Sequence, residues 1–414
     1  MKKTAIELFA GVGGFRVGLN DIKNIDSNGL AIENGPWSFV WANQWEPATK
    51  SQEAFDCYNT HFKDNNNSNV DIARVNKKEI PNHALLCGGF PCQDYSVARS
   101  LSQEKGIEGK KGVLWWQIRD ILKAKRTPFV LLENVDRLLK SPSKQRGRDF
   151  GIMLKCLNDL GYAVEWRVIN AADYGHPQRR RRTYIFAYSK KTNYYKKTKK
   201  LSPSSIIFED GVFAKAFPIV KHEKNIKEIK LDKYDDLVDF SDNFAASFET
   251  SGYMIDGKVF THKAEPIIEK PIALGDIVIK DGVEKKYYLS KEQIQKFAYL
   301  RGSKKIQRVD KNGYEYTYSE GAMSENDSLE LPGRTMLTSE GTVNRSTHII
   351  IDPKTNKLRL LTPIECERLN QFPDNWTNTG MSDKRRYFMM GNALVCGIIK
   401  KLGRQLDAIV DDED

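Results

Sequence analysis

From residue 4 to residue 188 this chain alternates short apolar runs with stretches of helical character, and after residue 190 the alternation stops. Strands are expected at Ala5–Phe9, Ser38–Ala42, Ala84–Cys87, Phe129–Leu132, Ala163–Asn170 and Thr183–Tyr188. Helices are expected between them at Glu53–His61, Leu114–Lys125 and Phe150–Leu160. Strands that read as near-continuous apolar runs are covered on both faces, and intervening helices supply the crossovers. The pattern predicts an α/β fold: a mostly parallel sheet with helices on both faces.

Lys190 to Lys200 holds six lysines, two tyrosines and no acid, and is expected to be an exposed connector. From 201 to about 350 only short β-rich pieces remain, such as Tyr253–Phe260 and Lys286–Leu289, with turn signals at Asp256-Gly257 and Asp281-Gly282. One helix is plausible at Ser290–Ala298. Helical character returns from Gly391 to Ile409. The division expected is a first domain of residues 1–189, completed by 379–414, with a smaller irregular α+β domain inserted at 190–378.

A chain of 414 residues has room for two such cores. No stretch is long and apolar enough to span a membrane. The strand after Met1-Lys2-Lys3 is broken by Gly11 too soon for a signal peptide, so the expected location is the cytoplasm. Six cysteines at 57, 87, 92, 156, 366 and 396 show no C-x-x-C spacing, and only six histidines are present. Neither a disulfide framework nor a metal site is expected. A formal net charge of +11 favours a polyanionic partner.

Phe9-Ala10-Gly11-Val12-Gly13-Gly14 is a glycine turn between a strand and a helix. It reads as a tight connection or as a ligand-binding turn. The G-x-G-x-x-G spacing is absent, because Gly14 follows Gly13 directly, which disfavours a nicotinamide or flavin oxidoreductase. After the second strand come Gln44, Trp45 and Glu46, polar groups for ribose hydroxyls flanking a ring able to stack on adenine or simply to pack at the core edge. Asp71-Ile72 reads as an adenine contact or as a helix cap.

Gly88-Gly89-Phe90-Pro91-Cys92-Gln93 places a cysteine at a strand end, behind a proline that fixes one backbone angle. Cys92 is a candidate nucleophile in its thiolate form. Glu133 ends another apolar strand, where it is placed to meet Cys92 or serves as a helix-capping or salt-bridged carboxylate. Within Gln178-Arg179-Arg180-Arg181-Arg182, alternate residues of a strand face one way, so the run reads either as Arg180 and Arg182 facing inward together or as a solvated face.

Taken in order, these pieces resemble the cytosine-5 DNA methyltransferase family, most like the bacterial modification enzymes. Glu133-Asn134-Val135, Leu361-Thr362-Pro363-Ile364-Glu365-Cys366 and Gly391-Asn392-Ala393-Leu394-Val395 complete the resemblance. It implies a Rossmann-like methyltransferase fold using S-adenosylmethionine, without metal. The donor site would comprise Phe9, Gly11, Val12, Gly13, Gln44, Trp45, Glu46, Asp71, Ile72, Pro91, Leu114, Asn392 and Ala393. The family commonly has Glu where this chain has Gln44, so Gln44 and Glu46 both stand as ribose ligands. Cys92 would add to carbon 6 of a flipped cytosine. Glu133 would serve ring nitrogen 3, Arg182 the base carbonyl, and Arg180 would support the Cys loop. Gln93, Ser96, Arg99, Lys110 and Lys111 lie in a long polar loop expected to close over DNA. Arg334, Thr335 and Thr338 resemble the recognition core of the inserted domain. The expected partners are double-stranded DNA and a cognate restriction endonuclease, for a monomeric enzyme of the bacterial cytoplasm and nucleoid. The alternatives are a transfer-RNA cytosine-5 methyltransferase and a non-catalytic DNA-binding relative. The long insert with its Arg-Thr-x-x-Thr element disfavours the first, and the intact Cys92 and Glu133 disfavour the second.

Overall fold

The computed structural model describes residues 1–47, 49–63, 66–90, 114–234, 236–310 and 313–413. A ten-stranded sheet runs through the larger part of it. Its strands are β1 (Thr4–Leu8), β2 (Ser38–Asn43), β3 (Asn67–Ser68), β4 (Leu85–Gly89), β5 (Phe129–Val135), β6 (Tyr162–Asn170), β7 (Arg181–Ser189), β8 (Lys227–Lys230), β9 (Ser251–Ile255) and β10 (Lys258–His262). The spatial order is β3-β2-β1-β4-β5-β7-β6-β9-β10-β8.

The strands from β3 to β5 pair in parallel. From β5 onward every pairing is antiparallel. The sheet is therefore mixed rather than mostly parallel. The cause is local: β6 and β7 are joined without a crossover helix, so β7 returns antiparallel between β5 and β6. The hairpin of β9 and β10 then adds to the β6 edge. Its turn has Asp256 at φ 49 and Gly257 at φ 76, the doubly left-handed geometry that matches strand twist.

Alternation along each strand feeds two apolar layers. Ala5, Leu85, Cys87, Phe129 and Leu131 face one core. Ile6, Leu8, Leu86, Val130 and Leu132 face the other, where helices Leu114–Lys125 and Arg148–Asp159 bury Trp115, Ile118, Phe150 and Leu154. On the first face, helix Cys396–Asp411 buries Ile398, Ile399, Leu402, Leu406 and Val410 at helical spacing. It lies so close to helix Gly14–Leu19 that a Cβ on Gly18 would stand 2.5 Å from Ile399 Cβ and 2.7 Å from the Cys396 carbonyl.

Residues beyond 189 stay with this sheet. Ile206, Phe213 and Phe217 join the first core, and β8 to β10 prolong the sheet to residue 262. Lys190–Lys200, expected as an exposed connector, contains a helix, Asn193–Thr198. Thr192 caps it, and the Glu413 carboxylate accepts from the Asn193 and Tyr194 amides at 2.8 Å each. The tail is remote in sequence, so no local pattern announces this cap. Lys286–Leu289 is not a strand: Lys285–Tyr287 forms a short turn of helix, held where Lys286 and Tyr287 both reach Asp383 at 2.9 Å. Helix Lys291–Arg301 starts as expected behind Ser290, which forms a capping box with Gln293.

After residue 262 the chain makes two small sheets, a hairpin of β11 (Lys304–Val309) with β12 (Glu315–Glu320) and a pair β13 (Ile349–Ile351) with β14 (Leu358–Leu360). Buried ion pairs hold much of this region. Arg359 bonds Asp352 at 2.7 Å and Glu365 at 2.8 Å, and Asp327 bridges Arg301 and Arg334.

Candidate functional site

β1 lies between β2 and β4, and the chain leaves those two neighbours in opposite directions across the sheet. The carboxyl ends of parallel strands at such a switch point open a crevice, the usual ligand site of this architecture. The turn that leaves β1 is built for close approach. Phe9, Gly11 and Gly13 all have positive φ, of 53°, 54° and 90°. A Cβ placed on Gly11 would meet nothing within 4 Å. The Gly11 amide donates to Gln44 Oε1 at 2.8 Å, which ties the turn to the end of β2. The Val12 carbonyl accepts from Trp376 Nε1 at 2.7 Å.

Beside the turn, Trp45 is 39% exposed, a large ring left open to solvent. Ile72 is buried, and Asp71 caps the short turn Ile72–Arg74 by accepting from the Ala73 amide at 3.0 Å. Glu46 is engaged elsewhere: Arg385 Nη2 lies 2.9 Å from its carboxylate, and Arg385 Nε also pairs with Glu53. Asn392 and Ala393 close the carboxyl end of helix Asp383–Asn392, and the following Leu394 side chain lies against Gly14. Leu114 opens helix Leu114–Lys125 half-buried.

Glu133 stands near the end of β5, in register with Gly89 on one side and with Tyr184 on the other, two residues before the Val135–Arg182 pair. Arg182 Nε meets Glu133 Oε1 at 2.9 Å. Burial pushes the Glu133 carboxyl above its ordinary value, against the pull of Arg182 and Arg180. Arg180 is buried and donates to the Met336 and Gly391 carbonyls at 3.0 and 2.9 Å. Burial lowers its pKa to about 9, and neighbouring Arg182 adds to that. Among the described residues, then, Arg180 fastens the segment around Met336 to the Gly391 turn. Arg181, between the two inward arginines, is exposed and reaches Asp136.

The chain toward the cysteine loop leaves β4 beside this cluster, where Asn134 Nδ2 donates to the Phe90 carbonyl at 2.8 Å. Pro91, Cys92, Gln93, Ser96, Arg99, Lys110 and Lys111 lie outside the described residues. Of the recognition candidates, Arg334 is paired with Asp327, and the Thr335 hydroxyl donates to the Arg179 carbonyl. Thr338 is exposed. Its backbone and that of Leu337 approach Gly391 so closely that a Cβ there would stand 2.4 Å from the Thr338 nitrogen.

Several residues that matter here carried no assigned role in the sequence. Glu7 is wholly buried beneath the turn, accepting from the Phe15 amide at 3.1 Å. A lone acid inside an apolar strand was its only signal. Gln178 donates to Asn370 Oδ1 at 2.7 Å and accepts from the Met336 amide at 3.1 Å. Trp376 and Arg385 had no local signal at all, since their partners are far away in the chain. Among the described residues no group of His, Cys, Asp and Glu is arranged to hold a metal ion, and no helix is long and apolar enough to cross a membrane.

The family model for C-5 cytosine-specific DNA methylases matches residues 3–408. The chain belongs to that family. It is 53% identical to the type II methyltransferase M.Sau3AI of Staphylococcus aureus, over all of this chain and 98% of that one. It is 34% identical to M.HhaI of Haemophilus parahaemolyticus over 45% of this chain and 50% of that one. Among solved structures, the methyltransferase EhMeth of Entamoeba histolytica aligns with a TM-score of 0.58 at 17% identity, covering 100% of this chain and 99% of that one. A Spodoptera frugiperda DNMT2 structure aligns at 0.59 and 14%, covering 98% and 99%. These last two likenesses are of fold. As a family member, the chain is a DNA cytosine-5 methylase with the Rossmann-like methyltransferase fold.

Proposed function

We propose that this enzyme methylates carbon 5 of a cytosine flipped out of a short specific duplex sequence, with S-adenosylmethionine as donor, as the modification enzyme of a restriction-modification system. The observation that carries the chemistry is the Glu133–Arg182–Arg180 cluster at the strand ends, where Asn134 also holds the Phe90 carbonyl, two residues before Cys92 in sequence. Support for the system comes from the full-length likeness to a type II modification enzyme.

The donor fits the crevice. The open face at Gly11, the exposed Trp45 ring and the Asp71-Ile72 pair suit a turn-bound nucleoside. When bound, S-adenosylmethionine supplies the methyl group. Gln44 is the better ribose ligand of the two considered, because Arg385 holds the Glu46 carboxylate. Replacing Gln44 by Ala should therefore raise the donor Kd more than the same change at Glu46, as calorimetry would show.

Carbon 5 of cytosine is a weak nucleophile until carbon 6 is attacked. The Cys92 thiolate adds to carbon 6, while Glu133 gives a proton or a hydrogen bond to ring nitrogen 3. The electron pair moved to carbon 5 forms the bond to the methyl group as the donor's methyl–sulfur bond breaks, its electrons staying on sulfur to leave S-adenosylhomocysteine. A base then removes the carbon 5 proton, and the returning pair expels Cys92. Burial shifts the Glu133 carboxyl toward its protonated form, the form the first step uses. Arg182, held on Glu133, orients the base through its carbonyl oxygen. We place the recognition region after residue 262, with Thr338 its exposed candidate reader.

Cys92→Ser should abolish methyl transfer and leave duplex binding largely intact. Duplex carrying 5-fluorocytosine should trap wild-type enzyme as a covalent adduct and leave the mutant free, since fluorine does not leave as a proton does. Substantial turnover by the mutant would overturn the covalent route.

A further inference from the structure

The β11–β12 hairpin contributes little to any core. Its strands pair only with each other, and apart from the partly covered Lys304, Ile306, Tyr318 and Glu320 their residues are exposed. A two-stranded hairpin is marginal in water unless something anchors it. Here the anchor is at the root. Arg345 reaches Glu320 at 2.8 Å and the Gly321 carbonyl, and Lys304 reaches Glu320 at 3.1 Å. Arg345 belongs to the turn that Asn344 and Thr347 knit to Ser339 and Thr342. That turn follows directly on Thr335 and Thr338, which lie against Arg179 and Gly391. The arm therefore springs from the rim of the catalytic crevice.

Directly opposed residues share a face. One face carries Arg308 stacked over the Tyr318 ring at 4.1 Å, with Tyr316 alongside. The other carries Lys305, Gln307 and Val309 opposite Ser319, Thr317 and Glu315. There the Thr317 hydroxyl donates to Gln307 Oε1 at 3.0 Å, orienting the carboxamide of an exposed side chain.

We propose that this hairpin is a DNA-reading arm, which enters the major groove of the substrate duplex with its Gln307–Thr317 face on base edges. The major groove admits a two-stranded ribbon, and a carboxamide's adjacent donor and acceptor match the edge of adenine. Lys305 and Arg308 supply the positive charge that a groove walled by phosphates requires. The inference rests on the reading above, that the region after residue 262 selects the sequence.

The test uses the full-length enzyme on a library of duplexes randomised around the methylated cytosine, with methylated products sequenced. Gln307→Ala should reduce discrimination at one flanking position about ten- to a hundredfold, with an unchanged melting temperature and methyl transfer retained on the relaxed sites. Lys305→Ala should weaken binding to all sequences alike and flatten its salt dependence. If Gln307→Ala leaves the profile unchanged while Thr338→Ala relaxes it, the arm does not read bases and the recognition region stands. If neither variant changes the profile, both readings fall. A uniform loss of affinity from Gln307→Ala would also overturn base reading by this residue.

Discussion

Glu7 illustrates how one side chain couples folding to pH. Burial pushes its carboxyl up to about 8, against the Phe15 amide and the Arg16 charge. In the unfolded chain it titrates near the ordinary 4.5. Below that value both states hold the proton and Glu7 adds no pH dependence. As pH rises from about 4.5 to about 8 the unfolded state ionises first, so stability falls, and above 8 the loss is complete. Glu7→Gln keeps the shape and cannot ionise. Its melting temperature should fall less than wild type between pH 5 and 8, and parallel curves would refute the assignment. Glu133 is raised for the same reason, and its proposed work is on the base. Glu133→Gln should slow turnover by roughly 10²–10⁴-fold, the usual worth of a positioned acid or base, with an unchanged donor Kd by calorimetry.

Among elements, the contact between helices Gly14–Leu19 and Cys396–Asp411 has no slack. Gly18→Val would drive a side chain into Ile399 and the Cys396 carbonyl. Overpacking of this kind costs about 1–3 kcal/mol, and contact with backbone puts this case at the upper end. The same helix starts from the glycine turn, so donor affinity should fall together with stability. Denaturant melts and calorimetry on one variant read both. After residue 262, Asp327 bridges Arg301 and Arg334. Burial alone would raise its pKa, but Arg334, His348 and the Ile349 amide hold it well below the ordinary value. A depressed carboxylate stabilises the fold above its unfolded pKa, and that stability is lost as pH falls. Asp327→Asn should therefore destabilise at neutral pH and differ less from wild type in strong acid, by thermal melts at pH 7 and at about pH 2.

At the scale of the molecule, one sheet with two apolar layers carries the chemistry, and the region after residue 262 is attached to it at the crevice. Arg180, just before β7, is one joint, since its guanidinium holds the Met336 and Gly391 carbonyls of that region. The carboxyl-terminal tail is a second tie, capping helix Asn193–Thr198 through Glu413. Truncation after Asp411 should cost about 0.5–2 kcal/mol, the worth of a helix cap, and should lower the melting temperature without changing the sequence methylated.

By itself the amino-acid sequence determined the strands β1, β2 and β4 to β7, the helices between them, and the order of the site residues along the chain. Those strands are buried on both faces and the glycine turn follows one of them directly, so periodicity and composition report them locally. The inward turn of Arg180 and Arg182 was legible for the same reason, because a strand alternates. Only tertiary structure decided the antiparallel half of the sheet, the helix inside the lysine-rich segment, and the commitment of Glu46 to Arg385, Arg334 to Asp327 and Val12 to Trp376. Each depends on burial and on a partner that the fold brings there, from seven residues away for Arg334 and Asp327 to 364 for Val12 and Trp376. Local pattern records what a segment prefers, and only the packed molecule records what that segment meets.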